Sequence, residues 1–326
     1  MTRRHVAVVL GLSVALAGIL TVTGTRLAAS QTPSLVALRV SGPVPAREPF
    51  HPFWDRLRRI EVPLSAQQVV PPKSQGPLPF LRGQRWTVRV RAAHDGDRLY
   101  LLLEWPDSSP ERSLAAVQDF TDAAAVQFPA VAGQAVPALC MGDPKGAVNI
   151  WQWKAAWQTL VERPDRGIRD RYPNAVADLY PFHGEDVFYP GRAVGNPFSQ
   201  ARRRSAVDNL VAAGFGSLTA APLDSLTGWG EWRDGRWRVV FSRPLQVGSP
   251  GSVDLRVGDR TDLAVAVWDG AVRERDGMKS VGGFVTLEVS DRQLPGAGRG
   301  IWLWLLLLLV PGYGLAAWAR TRGGRP

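Results

Sequence analysis

Cysteine is almost missing: Cys140 stands alone among 326 residues. A single thiol excludes an internal disulfide, a cysteine-ligated zinc site, an iron–sulfur cluster and a covalently attached haem. Histidine is scarce too. His5, His51, His94 and His183 are far apart and show no metal-ligand spacing. No Gly-x-Ser-x-Gly and no phosphate-cradling glycine loop occurs, so the common hydrolase and nucleotide-binding signatures are absent. Among 39 basic residues only Lys73, Lys145, Lys154 and Lys279 are lysines. The net charge of +10 raises the question of nucleic acid. No basic stripe alternates with exposed aromatics as in single-strand binders, so no nucleic acid is expected. Arg202-Arg203-Arg204, the longest basic run, reads as a solvated loop or a partner contact.

Glycine and proline, by contrast, are abundant at 33 and 26 residues. Together they exceed the usual share, which argues for many turns and hence β structure. Hydrophobic residues at 45% and charged residues at 21% describe an ordinary globular chain with enough length for a large core. Both ends are apolar. Arg3-Arg4 precede a run from Val6 to about Gly24, the pattern of an export signal, with Ala28-Ala29-Ser30 as a small-residue site. Residues 1–30 are thus a signal peptide or a signal anchor. Ile301 to Ala319 is 19 residues without a charge, close to the ~20 needed to span a bilayer. Trp302, Trp304, Tyr313 and Trp318 lie near its ends, and Arg320, Arg322 and Arg325 follow, which places the tail inside. Residues 299–326 are read as a transmembrane helix with a basic cytoplasmic tail, and 31–298 as one extracytoplasmic domain. Neither apolar segment holds the paired histidines of a four-helix membrane cytochrome b.

The middle of the chain predicts a mainly β fold, an antiparallel β-sandwich with a helical and loop insertion. Trp86 to Arg91 alternates, His94-Asp95-Gly96-Asp97 turns, and Arg98 to Trp105 alternates again, a hairpin pattern. Asp234-Gly235 repeats it between Glu231-Trp232 and Trp237 to Ser242. Ala123 to Phe128 reads as a strand, and Leu263 to Trp268 with Gly283 to Val289 as a strand pair. Ala155 to Ser217 reads as an insertion over one face, with helix signals at Trp157 to Arg163 and Ser205 to Ala213. Residues 31–80, rich in proline, are expected to wrap the sandwich edge.

Two stretches stand out. Met141, one of three methionines, sits in a Met-Gly-Asp-Pro turn ahead of Val148-Asn149-Ile150-Trp151-Gln152-Trp153-Lys154. Lys279 follows Asp276-Gly277-Met278. A lysine kept amid arginines fits a position needing a neutral amine, because lysine deprotonates when desolvated and arginine does not. Composition alone leaves Met141 a core filler and Lys279 a surface charge.

The order of Val62-Pro63-Leu64, Leu103-Glu104-Trp105, Ala124 to Pro129, Met141-Gly142-Asp143, Val148 to Lys154, Ala213 to Thr219, Asp234 to Trp237 and Asp276 to Val281 resembles one family. It is the haem b-binding gamma subunits of ethylbenzene dehydrogenase, dimethyl sulfide dehydrogenase, and selenate and chlorate reductases. The resemblance runs over residues 50–290. It implies one non-covalent haem b in a β-sandwich pocket, held by Met141 and Lys279, with Phe128, Trp151 and Trp153 either packed near the ring or in ordinary sandwich core. Lys154 is the rival second ligand. Lys279 is preferred because axial ligands approach from opposite sides, whereas Met141 and Lys154 share one segment. The implied role is electron transfer rather than catalysis. The implied partners are a molybdopterin catalytic subunit and an iron–sulfur subunit. The anchor adds membrane lipid, and a membrane cytochrome b or a Rieske protein as exchange partner. The rival reading is a carbohydrate-binding or scaffold sandwich without haem, kept open by 13 tryptophans.

Overall fold

The computed structural model describes residues 33–67, 87–163 and 203–296, apart from 117, 132–136, 138, 140, 144–145 and 215, together with 173–174. The described elements belong to one compact unit that starts at Ser34. The export segment, residues 1–30, and the transmembrane segment, 299–326, lie outside the described residues. So do Trp86, Gln68, Cys140 and most of 164–202. Among the described residues no helix is long and apolar enough to cross a membrane.

Thirteen strands and one α-helix are described. They are β1 Ser34–Arg39, β2 Ile60–Ala66, β3 Thr87–His94, β4 Arg98–Pro106, β5 Ala123–Pro129, β6 Val148–Lys154, α1 Ala155–Glu162, β7 Val207–Ala212, β8 Thr219–Ala221, β9 Thr227–Arg233, β10 Arg236–Pro244, β11 Arg260–Trp268, β12 Ser280–Gly282 and β13 Val285–Gln293. The order along the sheet is β8-β7-β6-β5-β11-β12-β2-β3-β4-β10-β9. It folds back on itself into two layers. Two strands turn the corner. β11 pairs through Arg260–Leu263 with β13 and through Ala264–Trp268 with β5. β2 pairs through Ile60–Pro63 with β3 and through Leu64–Ala66 with β12.

Alternation decides what each layer buries, because successive side chains point to opposite faces. Val90, Leu101, Leu103, Val239 and Phe241 from one layer meet Val126, Phe128, Trp151, Trp153 and Val265 from the other in a single core. Trp153 sets its ring 5.0 Å from that of Trp237, near edge-on, the geometry aromatic quadrupoles favour. Gly230 makes room for it: a Cβ there would lie 2.3 Å from the Trp153 ring. On the outer face of the β3–β4–β10 layer, Glu104 is buried and accepts from Arg89 at 2.8 Å and Arg238 at 2.6 Å. A buried carboxylate without such donors would be costly.

The Asp-Gly hairpins fall where the sequence predicts them, at β3–β4 and β9–β10. The β11–β13 pair also forms, with Leu263 opposite Val285. Helix α1 occupies the first predicted helical stretch. Three expectations are corrected. Ser205 to Ala213 is not a helix. It holds β7, because Val207 faces the sandwich core, Leu210 and Ala212 two apart face the outer cluster, and the segment pairs with β6. Tertiary pairing overrides the alanine-rich helix propensity. The described parts of 155–217 are accordingly sheet and helix continuous with the sandwich. Finally, 31–80 does not simply wrap an edge: β1 and β2 are sheet members, and β1 pairs in parallel with β13 and β3, a departure from a purely antiparallel design.

Candidate functional site

The layer β7-β6-β5-β11-β12 has a second, outward face. In β5, Ala123 and Ala125 point there, while Ala124, Val126 and Phe128 point into the sandwich. Register carries the pattern to the neighbours. Ala123 lies opposite Trp268 and Lys154, Ala125 opposite Ala266 and Gln152, and Gln127 opposite Ala264 and Ile150. Four alanines, Ala123, Ala125, Ala264 and Ala266, therefore form a contiguous patch of minimal side chains. Taller residues border it: Ile150 and Leu210 on one side, Trp268 on the other. The result is a shallow floor of small side chains, with Gln127 and Gln152 beside the alanines, that leaves room for a ligand between its two ends.

Met141 packs against this outer cluster. Its turn is fixed by backbone. Asp143 and Gly146 exchange hydrogen bonds at 3.2 and 3.0 Å, and Gly214 N donates to Met141 O at 2.9 Å. Gly142 has φ +67°, and a Cβ there would sit 2.7 Å from Gly146 O and 3.1 Å from Ala212 O. Only glycine closes that turn. Met141 thus belongs to the Val148–Ala212 end of the layer.

Lys279 belongs to the other end. It leads into β12, and its carbonyl accepts from Gln67 N at 2.8 Å. The residue is 9% exposed. Its amine lies 5.2 Å from the centroid of the Trp268 ring and donates to Asp276 O at 3.3 Å. Trp268 Nε1 donates to the same carbonyl at 3.1 Å, so one turn positions both side chains. Asp276 itself adopts φ +54°, a conformation that aspartate tolerates better than most residues.

Lys154 closes β6 at the same end, opposite Ala123. Its amine lies 4.2 Å from the Trp157 centroid. Burial pushes its pKa down; Asp208 and Asp276 oppose the shift and Arg203 adds to it. Because all of β6 separates Met141 from Lys154, the two stand at opposite ends of the strand. Sharing one segment does not disqualify that pair. The distinction lies in the rings: Lys279 stands over Trp268, a member of the cluster on which Met141 packs, while Lys154 stands over Trp157, which is outside it.

The structure separates the five predicted site residues. Met141 and Lys279 share the outer face. Phe128, Trp151 and Trp153 are fully buried on the inner face, in the sandwich core, with Phe128 and Trp151 centroids 4.8 Å apart. Their place away from Met141 follows from parity, since Asn149, Trp151 and Trp153 alternate with Val148, Ile150 and Gln152. Sequence reading missed the alanine floor and Trp268. The signal was present in the alternation of β5, but only the register to β11 makes those alanines adjacent.

The donor set suits haem. A soft thioether and a lysine amine border a floor of small side chains, and both are donors that haem iron accepts.

The family described as "Ethylbenzene dehydrogenase" matches residues 51–187 and 223–280. A putative respiratory nitrate reductase heme subunit of Haloferax mediterranei is 28% identical, covering 76% of this chain and 74% of that protein. The chlorate reductase subunit gamma of Ideonella dechloratans is 28% identical over 59% of this chain, and the dimethylsulfide dehydrogenase subunit gamma of Rhodovulum sulfidophilum 29% over 59%. The matches span 60% and 56% of those two proteins. Among solved structures, a carbohydrate-binding module of family 9 from Caldicellulosiruptor kristjanssonii in complex with glucose aligns at TM-score 0.36 and 8% identity, over 81% of this chain and 99% of its own. A likeness at that level carries no argument. The family match covers well over half of the residues, and the chain belongs to the ethylbenzene dehydrogenase family.

Proposed function

We propose that the chain is an exported, membrane-anchored electron-transfer subunit that holds one haem b between Met141 and Lys279. The observation that carries this is the placement of a methionine and a buried lysine at opposite ends of one alanine floor. The names of the relatives support it, since one is a heme subunit of a nitrate reductase and two are gamma subunits of oxidoreductases. The anchor rests on residues 299–326 and the export signal on 1–30. The partners are a molybdopterin catalytic subunit and an iron–sulfur subunit, with a membrane cytochrome b or a Rieske protein as the link to the bilayer pool.

When bound, the haem supplies one-electron ferric–ferrous chemistry. The chain's residues set the conditions for it. The Met141 thioether is neutral and soft, and it favours the reduced iron. As a ligand Lys279 would act through its deprotonated amine, and its buried place beside Trp268 sets that amine at the edge of the floor. Alanines 123, 125, 264 and 266 keep the floor shallow, and Gln127 and Gln152 lie beside them on the same face. A haem held by both Met141 and Lys279 would supply electron transfer and offer no open position to a substrate. A sugar-stacking module would need exposed indoles. None of the described tryptophans is among the exposed large hydrophobic residues.

The test is a spectrum of the full chain produced with haem available. The expected result is a low-spin b-type Soret band with sharp ferrous α and β bands. Met141→Ala and Lys279→Ala each convert it to high spin or empty it. An unchanged spectrum in Lys279→Ala with loss in Lys154→Ala reassigns the nitrogen ligand to Lys154. A colourless protein after reconstitution overturns the reading.

A further inference from the structure

At one rim of the sandwich, three strand ends bring carboxylates together. Asp107 follows β4, Asp122 precedes β5 and Asp269 follows β11. One oxygen from each lies within 4.8 Å of the others, and all three residues are buried. The loop residue Glu111 joins them: its backbone N–H donates to Asp122 Oδ2 at 2.7 Å, and its charge acts on both Asp107 and Asp122. Backbone and indole donors cover part of the set. Asp122 accepts from Gly270 N at 2.9 Å and from Trp237 Nε1 at 2.9 Å, and Asp269 accepts from Ala271 N at 2.9 Å.

Two oxygens remain uncovered. Asp107 is 3% exposed. Its Oδ1 takes the Ser109 N–H at 3.1 Å, whereas its Oδ2 is enclosed and meets no donor among the described residues. Glu111 Oε2 is in the same condition, its partner oxygen being held by Ser109 Oγ at 2.7 Å. An enclosed carboxylate oxygen facing other carboxylates is strongly disfavoured unless a positive charge sits among them.

We infer that Asp107, Asp122 and Asp269, with Glu111 beside them, form a calcium site that ties β4 of one layer to β5 and β11 of the other. The donors are all hard oxygens, which excludes a preference for zinc or copper. Calcium–oxygen distances of about 2.3–2.6 Å allow ligand oxygens up to roughly 5 Å apart, a limit this cluster satisfies. Magnesium holds a tighter octahedron, keeps several waters and seldom uses a cage of buried carboxylates. With no cation counted among them, burial and then mutual repulsion push Asp107 up to about 8, and burial pushes Asp122 up to about 7. A divalent ion removes that conflict.

The experiment uses the full chain with its haem, in detergent. Metal content is measured as purified; the chain is then stripped with chelator and titrated with calcium by calorimetry. The expected result is one calcium per chain and saturable rebinding. A loss of ~5–10 °C in melting temperature on stripping should be restored by calcium a hundredfold above its dissociation constant. Asp107→Asn should weaken binding at least tenfold. Glu111→Gln provides a second, gentler variant if the first misfolds. Wild-type protein that carries no calcium and neither binds it nor melts differently overturns the site, and the acids then share protons. Tighter binding of magnesium overturns the choice of ion. Undiminished calcium binding in a folded Asp107→Asn overturns the location.

Discussion

The two faces of the β7–β6–β5–β11 layer are built from opposite materials. The inner face carries Phe128, Trp151 and Trp153 and is filled to the point that Gly230 must lack a side chain. The outer face carries Ala123, Ala125, Ala264 and Ala266 and stays shallow. One face uses bulk to bind two sheets; the other withholds bulk, and the proposed haem seat would use that room. Both are written into the same strands, one residue out of phase. The lesson concerns motif reading. Val148 to Lys154 looks like one aromatic-rich signature. Strand geometry cuts it into a structural half, Trp151 and Trp153, and a site-facing half, Ile150 and Lys154.

Trp153→Ala should cause the largest change, about 3–5 kcal/mol of stability, because it empties a fully packed seat against Trp237. Denaturant unfolding measures the loss. Haem-band positions in the surviving folded fraction should match wild type; a shifted Soret band would place the indole at the ring and break the contrast between faces. Gly230→Ala comes next, at about 1–3 kcal/mol, since its new methyl meets the Trp153 ring. Combined with Trp153→Ala, it should cost far less than on its own. If the two losses simply add, the close approach is not what fixes that glycine.

A pH series addresses the rim, where Trp237 reaches from the inner face to Asp122. In metal-stripped protein Asp107 and Asp122 titrate at about 8 and about 7, above the ~4 of an unfolded chain. The folded state therefore holds protons that the unfolded state has lost. Their contribution is fully present below pH ~4 and fades as pH rises through 7 to 8. Melting temperature should fall by a few degrees between pH 5 and 8, and these acids should contribute no slope over that range if they are ordinary. The smallest stability change belongs to the outer face. Ala266→Leu should alter unfolding by no more than ~1 kcal/mol, since the residue is only partly buried, yet reduce haem occupancy at least tenfold. Full pigment in this variant would remove the floor from the site.

How much of this was legible in the sequence depended on distance along the chain. Asp95-Gly96 and Asp234-Gly235 announce their hairpins because turn chemistry is local. Ser205 to Ala213 misleads for the converse reason. Its residues accept either helix or strand, and Asn209, buried against Asn149 at 2.6 Å, shows that β6 makes the choice. Met141 and Lys279 were reached through family resemblance, and the structure puts them on one face. The alanine floor needs the β5–β11 register. Asp107, Asp122 and Asp269 come from three loops that no sequence window joins.

Strand β11 pairs through its first half with β13 in one layer and through its second half with β5 and β12 in the other. It also contributes Ala264, Ala266 and Trp268 to the outer face. The cradle consequently has no seam along which it could peel from the rest of the sandwich. Loosening the far layer frees the first half of the very strand that lines it. Pigment retention and melting should thus report a single cooperative event, with the cradle persisting until the whole sandwich gives way.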